Sequence, residues 1–600
     1  MITSNPDDVR QWFNSATLHA VQSRRFTTMA DARRNNLDHV LVVAALLCFA
    51  LAARTMSPSD IFDNDQAGPI SHIADVAFNG NWLMQRTPDG RLATKPPMFP
   101  WVGALAVRAI GTTQEWSYKV TVVIAFAAVT VMVFDLTRRA ANTAVATLAA
   151  AVWIANYHAF KLVYTARTDM LLTMWITLAL WSVQRQRQMW RSDAATTSSS
   201  WHRTVLIASF SVAVGAGLLT KGPPAMIPVA WLFGAVTYDR AWRRCLPVQQ
   251  VLGVLLAAAL LLAWLVPALR AHPQWADTIN AEVIERITGT GSGAKRQSSL
   301  LVMPAYFLAR FQPWCVLFIA AAALWWSKRR QSNGHLPWWP LLWVAMILLI
   351  FTFPRGKRAD YILPAYPAAA LLVAMLIDRA QAHRGWHRFV VHVVLGGSAI
   401  AGIGYALACP WLPRIPDVPL QPVAAVESVV WNPAMVKFGC GAAALIAGPV
   451  ALWLVHRRRY VAGAMACCFV LVAMLGIYQS TFSRAAKTRR GDAIIALAQT
   501  AAAVGRREGV KVMCDGSASK WFAALLGFHR LAADVELTSV DGGAVLLICE
   551  EQWQKHKGRF EGQVSVLLRS DTREKVETTY LLVMVGRAGN MAGETRFSLE

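Results

Sequence analysis

The chain has 600 residues, of which 55% are hydrophobic and only 16% are charged, whereas an average globular protein is about 25% charged. Soluble domains cannot bury so much apolar surface, which excludes a soluble multidomain protein, a disordered chain and a coiled coil as the main architecture. The formal net charge of +24 comes without a nucleic-acid-binding motif, so we expect no nucleic-acid partner.

Apolar segments long enough to cross a membrane follow one another through the first 480 residues. A spanning helix needs about 20 mainly apolar residues. Thirteen segments approach this length, at residues 39–54, 118–136, 142–160, 169–184, 203–220, 223–238, 247–267, 304–326, 338–353, 361–377, 389–408, 433–455 and 460–479. We therefore predict an all-α polytopic membrane domain of about 13 transmembrane helices over residues 38–480. Residues 97–111 are short and contain Pro100 and Arg108, so we expect them to lie along the interface.

The arginine and lysine residues predict the orientation. Residues 1–37 hold five arginines, which predicts a cytoplasmic N-terminal segment. If residues 97–111 do not cross, the basic clusters at 138–139, 185–191, 240–244, 328–330, 379–388 and 457–459 all face the cytoplasm. If they cross, all six clusters face outside, so the thirteen-span arrangement is favoured. A cleavable signal peptide is the competing interpretation of residues 39–54, but the segment before them is too long for one.

The last 120 residues have a different composition. Charged residues make up 26% of residues 481–600 and 13% of residues 1–480. A helical pattern over 492–504 and short apolar runs at 510–513, 544–548, 564–568 and 580–585 predict a C-terminal soluble α/β domain, which the thirteen-span arrangement places outside. Cys514 and Cys549 end two of these runs, and either a disulfide or two buried thiols on neighbouring strands fits the pattern.

Ionisable residues collect in the loops predicted to lie outside, at 55–117, 161–169, 268–303 and 354–360. Carboxylates at a membrane surface act as general bases or hold a divalent cation. Nearby cations hold a phosphate whose lipid tail remains in the bilayer. This combination predicts transfer of a group from a lipid phosphate to an acceptor at the outer surface. Asp63-Asn64-Asp65 has the D-x-D pattern, which leaves open a divalent metal with Asp63 and Asp65 as its ligands.

Four segments carry a family resemblance. They are Asp65-Gln66 with Asn79–Trp82 and Lys95-Pro96-Pro97, then Ala166–Thr173, Thr220–Pro224, and Lys357 with Tyr361–Pro364. In order and spacing, over about residues 38–380, they resemble the glycosyltransferase C superfamily. The resemblance is to its lipid A aminoarabinose transferase and protein O-mannosyltransferase-like branch.

The resemblance implies a function and a set of site residues. It implies transfer of a sugar from a polyprenyl (undecaprenyl) phosphate donor to lipid A, lipopolysaccharide or another envelope glycan or protein. Asp65 and Asp169 would be catalytic, with Asp65 as general base or metal-linked carboxylate. The donor phosphate would be bound by Lys95, Lys221, Arg286, Arg355, Lys357 and Tyr361. Two departures, Gln66 where the family has Glu and Gly68 where the aminoarabinose branch has Arg, leave the sugar unidentified.

The alternative function is a transporter or flippase of a lipid-linked glycan. Transporters carry ionisable or helix-breaking residues near the bilayer midplane, often in repeated halves. Here the predicted spans are almost free of charge, the ionisable residues lie at their outer ends, and no internal repeat is present. The pattern favours the enzyme.

Overall fold

The computed structural model describes most of the chain. The described residues are 37–62, 64–88, 90–191, 200–238, 242–243, 248–281, 288, 299–328, 336–414, 420–422, 433–514, 519–526, 543–560, 564–570 and 580–585. The predicted cytoplasmic segment before residue 37, Asp63 and Arg286 lie outside this set.

All thirteen segments predicted to span the membrane are helical. The helices are α1 Leu37–Thr55, α2 Asn64–Ala74, α3 Met98–Ile110, α4 Glu115–Ala140, α5 Thr143–Ile154, α6 Tyr157–Leu162, α7 Thr168–Arg191, α8 Ser200–Lys221, α9 Ile227–Tyr238, α10 Val248–Ala271, α11 Trp275–Ile279, α12 Val302–Arg310, α13 Trp314–Lys328, α14 Trp339–Thr352, α15 Tyr366–Ala382, α16 Trp386–Leu407, α17 Pro433–His456, α18 Tyr460–Thr481, α19 Arg484–Thr488, α20 Arg490–Glu508, α21 Ser519–Leu526 and α22 Glu550–His556. A π-helix, Asp75–Asn79, follows α2, and 3-10 helices occupy Pro223–Met226, Ala359–Ala365, Cys409–Trp411 and Lys557–Phe560.

Within the described chain, eight helices are long and apolar enough to cross a membrane, and the α12–α13 pair, bent by 116°, makes a ninth if it is one span. The chain is thus a multi-span membrane protein, while the full count of thirteen stays a prediction. Helix α3 has 13 residues and is about 20 Å long, shorter than the hydrocarbon core of about 30 Å. This length agrees with the predicted interfacial position. Arg108 of α3 donates to the carbonyls of Val76 and Ala77 in the π-helix Asp75–Asn79. Carbonyls at the end of a helix have no partner within that helix, so Arg108 supplies one.

Two helices rich in small residues, α5 and α15, form the centre of the membrane part. Helix α5 is buried from Val145 to its end, and it packs directly against the mostly buried helix α15. Alanines on both helices let the backbones approach closely, which is how helices pack inside membranes. Asn142 and Asn156 cap α5 and α6 by accepting from the amides of Val145 and Ala159. Helix α6 and the loop after it lead the chain to the first residues of α7.

The tail contains the strands that the apolar runs predict. The strands are β1 Leu420–Pro422, β2 Lys511–Cys514, β3 Ala544–Cys549, β4 Val564–Ser570 and β5 Tyr580–Val585, in the order β1-β4-β5-β3-β2. Strands β2 and β3 are parallel and the other pairs antiparallel. Cys514 and Cys549 are buried at the ends of β2 and β3. Strand β1 comes from the loop between α16 and α17, so the sheet also includes a segment of the membrane part.

The tail is docked on one end of the membrane part. Helix α21 packs against α2, and the hydroxyl of Tyr118 donates to the carbonyl of Ala524 at 2.5 Å. The amide of Ser59 donates to Asp492 Oδ1 at 3.0 Å. A Cβ at Gly491 would lie 2.1 Å from the Ser59 carbonyl oxygen, so only glycine permits this close approach.

Candidate active site

A cleft at one end of the helices brings together residues from five separate segments. It is lined by Asp65, Pro69, Lys95, Arg167, Thr168, Asp169, Lys221, Arg358, Asp360 and Tyr361. Five of the predicted site residues therefore meet here, namely Asp65, Lys95, Asp169, Lys221 and Tyr361. The motifs that suggested them are far apart along the chain, and the fold places them in one cleft.

Asp65 lies in the first turn of α2, with 43% of its side chain exposed. Its Oδ2 accepts from Arg167 Nη2 at 2.9 Å and from Arg358 Nη2. Partial burial by itself raises the pKa of Asp65, but the Arg167 and Arg358 guanidiniums, with Lys95 nearby, outweigh burial and hold the pKa below its usual value. Asp65 is therefore an ionised carboxylate at neutral pH, with an exposed edge toward the cleft.

Arg167 is held between two carboxylates. Its Nη1 lies 2.9 Å from Asp360 Oδ2, opposite the contact of its Nη2 with Asp65. The buried His158 stands behind this pair, with Nε2 3.5 Å from Asp360 Oδ1. Because a guanidinium has a rigid planar fork, two carboxylate partners fix its direction as well as its position. Arg167 is thus preorganised at the wall of the cleft.

Asp169 and Lys221 form a second ion pair in the cleft. Lys221 Nζ donates to Asp169 Oδ1, and only about a tenth of each side chain is exposed. The same ammonium lies 4.6 Å from the centroid of the Tyr361 ring, within the range of a cation–π contact. Asp169 occupies the first turn of α7, where the helix dipole favours a carboxylate. The predicted residues of three motifs therefore contact one another directly.

The loop that ends in Lys95 is anchored by three tryptophans. Their indole N–H groups donate to backbone carbonyls of this loop: Trp101 to Trp82 at 2.7 Å, Trp264 to Leu83 at 2.8 Å, and Trp275 to Ala93 at 2.7 Å. Backbone carbonyls held in this way give the loop a single conformation. The anchoring explains how a loop without regular secondary structure keeps Lys95 at the cleft.

The basic run at 355–358 contributes a different residue from those predicted. Arg358 lines the cleft, whereas Arg355 is exposed, Lys357 is buried, and neither lines it. Arg358 has an extended backbone just before the 3-10 helix Ala359–Ala365, and its side chain contacts Asp65. The roles of Arg355 and Lys357 stay predictions, and that of Arg286 concerns a residue outside the described set.

Sequence reasoning gave no individual role to Arg167, Arg358 or Asp360, which complete the cleft. All three lie in the loops predicted to face outside, where ionisable residues collect. Their pairing was not visible in the sequence, since Arg167 lies 102 residues from Asp65 and Arg358 lies 293 residues from it.

Gln66, which departs from the family pattern, joins two of the loops that form the cleft. Its Nε2 donates to Asp60 Oδ1 at 3.1 Å, and its Oε1 accepts from the Ala166 amide at 2.8 Å. Asp60 also pairs with Arg54 and Lys119, at 2.6 and 2.9 Å. A buried amide that uses both its donor and its acceptor fixes the loop of Arg167 against α2.

A divalent cation does not fit the described part of the cleft. Among the described residues, no group of three or more His, Cys, Asp or Glu side chains converges on a common point. Asp65 faces two guanidiniums, which would repel a cation at its Oδ2. Because Asp63 lies outside the described residues, a metal held by Asp63 and Asp65 stays a prediction.

Part of the chain matches known protein families and proteins. Residues 94–269 match the family described as dolichyl-phosphate-mannose-protein mannosyltransferase. The undecaprenyl phosphate-α-4-amino-4-deoxy-L-arabinose arabinosyl transferase 2 of Proteus mirabilis is 25% identical over 50% of this chain and 52% of its own length. The corresponding transferase of Edwardsiella ictaluri is 25% identical over 67% of this chain and 70% of its own. The chain thus spans about half the length of the first of these curated relatives.

Solved structures match over more of the chain. ArnT from Cupriavidus metallidurans in the apo state aligns with a TM-score of 0.65 at 17% identity, covering 91% of this chain and 97% of its own. The same protein bound to undecaprenyl phosphate aligns with a TM-score of 0.66, covering 93% and 99%. The chain therefore has the glycosyltransferase C membrane fold. The predicted resemblance to the aminoarabinose transferase and O-mannosyltransferase-like branch is confirmed.

Proposed function

We propose that the chain is a membrane glycosyltransferase that moves a sugar from a polyprenyl-phosphate donor to an acceptor. The observation that carries the proposal is the cleft in which the Asp65 carboxylate stands among the cations Lys95, Arg167, Lys221 and Arg358. The relatives from Proteus mirabilis and Edwardsiella ictaluri, named for undecaprenyl phosphate-linked aminoarabinose, support a donor of this class.

The chemistry follows from the charges of the cleft. Transfer breaks the bond between the anomeric carbon and the phosphate oxygen, and the polyprenyl phosphate leaves with the bonding electron pair. Guanidinium and ammonium groups held in place before the reaction stabilise that developing charge without reorganising. The acceptor oxygen forms the new bond to the anomeric carbon and loses its proton. Asp65 orients the acceptor and takes this proton.

Opposite charges nearly balance in the cleft before the donor enters. The four cations face three described carboxylates, Asp65, Asp169 and Asp360. These carboxylates hold the cations at fixed positions, and the net charge of the described lining is +1. An anionic donor phosphate is the ligand that this excess favours.

The orientation belongs to the proposal as well. We place the N-terminus in the cytoplasm, thirteen spans in the bacterial inner membrane, and both the cleft and the C-terminal α/β domain on the periplasmic side. The positive-inside distribution of arginine and lysine supports this arrangement. The acceptor is then lipid A, lipopolysaccharide, or another envelope glycan or protein.

Mass spectrometry of envelope lipids and glycoproteins tests the proposal. Cells with the intact chain are compared with cells lacking it and with cells carrying Asp65→Asn. A single sugar mass present only with the intact chain is expected, and the molecule that carries it identifies the acceptor. Asp277→Asn is the matched control, because Asp277 is an exposed outer-loop carboxylate outside the cleft.

Two results would contradict the proposal. Full transfer by Asp65→Asn, at equal membrane content, would remove Asp65 from the reaction. If no modification depends on the chain and a lipid-linked glycan instead accumulates on the cytoplasmic side in its absence, the flippase is the correct function.

A further inference from the structure

His158 is a buried imidazole that contacts the cleft from behind. Its side chain is fully buried, and Nε2 lies 3.5 Å from Asp360 Oδ1. The other carboxylate oxygen of Asp360, Oδ2, contacts Arg167 at 2.9 Å. His158 itself does not line the cleft. The reaction described above therefore gives this histidine no task, although it contacts a carboxylate on which the position of Arg167 depends.

Arg310 selects the tautomer of this imidazole. Its Nη1 lies 3.3 Å from His158 Nδ1. A guanidinium can only donate hydrogen bonds, so Nδ1 accepts and carries no proton. The neutral ring then has its single proton on Nε2, the nitrogen that faces Asp360. A proton on Nδ1 would remove the acceptor and set two cations against each other in a buried position.

Arg310 is itself held in place. It is the last residue of α12, and its carbonyl oxygen accepts from Asn156 Nδ2 at 3.3 Å. Asn156 also uses its side-chain oxygen to cap α6, the helix that contains His158. The guanidinium lies 5.8 Å from the centroid of the Tyr157 ring, within the range of a cation–π contact. The donor and the imidazole are thus attached to the same turn of α6.

The plane of the His158 ring is restricted as well. Tyr366, the first residue of α15, packs edge-on against it, with ring centroids 6.0 Å apart and an angle of 71° between the planes. Tyr366 in turn stacks on Phe307 and Phe311, with centroids 5.3 and 5.2 Å away. The imidazole therefore cannot turn away from Asp360 without losing its aromatic packing and its contact with Arg310.

We propose that His158 is a positioning residue for sugar transfer: its Nε2–H directs the Asp360 carboxylate, which in turn holds Arg167 in the cleft. The inference rests on the proposed function, in which Arg167 is one of the cations that stabilise the leaving phosphate. Groups that stabilise a transition state are effective when they are in place before its charge develops. A carboxylate restrained at one oxygen only would let the guanidinium of Arg167 change direction.

The same contacts argue against His158 as the base that takes the proton of the acceptor. The side chain is buried and lies outside the lining of the cleft. The lone pair of its neutral ring is at Nδ1, which faces Arg310. The contribution of His158 is therefore orientation, and proton transfer stays with Asp65.

Two substitutions distinguish the two ring nitrogens. The side chain of His158→Gln places an amide N–H near the position of Nε2, whereas the shorter side chain of His158→Asn places its amide near Nδ1 and leaves the position of Nε2 empty. We expect His158→Asn to lower kcat by about tenfold, less than the loss of about a hundredfold or more that follows removal of a preorganised donor itself. His158→Gln should restore kcat to within about threefold of the intact chain.

Steady-state transfer by the full chain in lipid nanodiscs is the measurement. The donor is undecaprenyl phosphate carrying the sugar that the envelope experiment identifies, the acceptor is the molecule that bears this sugar, and both concentrations are varied. The KM for the donor should change by less than about threefold, because Lys95, Lys221 and Arg358 still line the cleft. His387→Gln and His387→Asn are the matched controls, since His387 is a buried imidazole in the basic cluster at 379–388, and both should leave kcat unchanged.

A double-mutant cycle measures whether His158 acts through Asp360. In Asp360→Asn the carboxylate that His158 directs is gone, so the addition of His158→Asn should lower kcat by no more than about a further twofold. Arg310→Met acts from the other side of the ring, because it removes the donor to Nδ1 at a half-buried position. It should lower kcat as His158→Asn does, and it decides the question if the His158 variants fail to fold.

Three results would overturn the inference: equal kcat in His158→Asn and His158→Gln, an undiminished effect of His158→Asn in the Asp360→Asn chain, or unchanged kcat in Arg310→Met. Failure of the proposed function gives a different result, since the intact chain would then transfer no sugar. If the intact chain transfers sugar and the two His158 variants are alike, the positioning role alone is wrong.

Discussion

Arg167 and Asp65 are 102 residues apart in the chain, and their side chains are joined by a contact of 2.9 Å between Nη2 and Oδ2. The same guanidinium reaches Asp360 at 2.9 Å through Nη1. One arginine thereby connects the loop before α7, the start of α2 and the 3-10 helix before α15. Arg167 therefore fixes the positions of three segments of the cleft relative to one another.

We expect Arg167→Gln to lower kcat/KM for sugar transfer by about ten- to a hundredfold, equivalent to about 1.4–2.7 kcal/mol, because a neutral amide no longer holds Asp65 and Asp360 together or stabilises the leaving phosphate. Arg167→Lys should recover only part of this loss, since an ammonium cannot bridge two carboxylates through a planar fork. Transfer by the purified chain in vesicles, with donor and acceptor varied separately, measures both variants. Arg138→Gln, which removes an exposed arginine from its contact with Asp135 at 3.4 Å, is the control. Unchanged kcat/KM in Arg167→Gln would exclude Arg167 from the working site.

The ionisation of Asp65 predicts a specific pH dependence. Its pKa in the folded chain lies below its usual value because of Arg167, Arg358 and Lys95. The stability contributed by its ion pairs is therefore present above the unfolded-state pKa and is lost as the pH falls through the folded-state value. The Arg358→Gln variant lacks one of the two guanidiniums that contact Asp65, so the pKa of Asp65 rises. The acid limb of the pH–rate profile therefore moves to higher pH in this variant. An acid limb at the same pH in both proteins would contradict Asp65 as the titrating group.

Replacing Gln66 by Glu tests the junction between the loops. A glutamate there loses the donors that contact Asp60 at 2.9 and 3.1 Å and sets two carboxylates against each other in a buried position. We expect a loss of about 1–3 kcal/mol in the free energy of unfolding, the cost of an unsatisfied buried polar group. A lower Tm for the detergent-solubilised chain is the measurement. Gln114→Glu is the matched control, because the side-chain oxygen that Gln114 uses toward Trp116 is kept. Equal Tm values in the two variants would contradict the structural role of Gln66.

The contact between the tail and the membrane part predicts the effect of Gly491→Ala. An added Cβ meets the Ser59 carbonyl oxygen at 2.1 Å, a backbone atom that must shift, and overpacking of this kind costs about 1–3 kcal/mol. We expect a lower Tm and a reduced transfer rate, because Ser59 contacts Glu115 at 2.8 Å and the adjacent Asp60 carries the Gln66 contacts. Gly404→Ala, in a helix with open space around the glycine, should leave both unchanged. Wild-type behaviour of Gly491→Ala would show that the tail does not constrain the loop that contains Ser59 and Asp60.

The sequence by itself determined the features that depend on local composition. Long apolar runs predicted the positions of the membrane helices, and short apolar runs predicted strands β2 to β5. Burial in lipid or in a sheet requires apolar side chains along the whole segment, so the residues of the segment themselves show it. The motifs at Asp65, Lys95, Asp169, Lys221 and Tyr361 identified residues that the fold brings into one cleft. The glycosyltransferase C fold and the family resemblance are confirmed by the comparisons.

Only the tertiary structure decided which charges meet. In the run at 355–358, the backbone before the 3-10 helix selects Arg358, although Arg355 and Lys357 have the same charge. Arg167 and Asp360 acquire their importance from partners about a hundred or more residues away, and β1 joins a sheet formed otherwise by the tail. The physical reason is that ion pairing and strand pairing act through space. Their partners are set by the packing of helices and leave no periodic signal in the residues nearby.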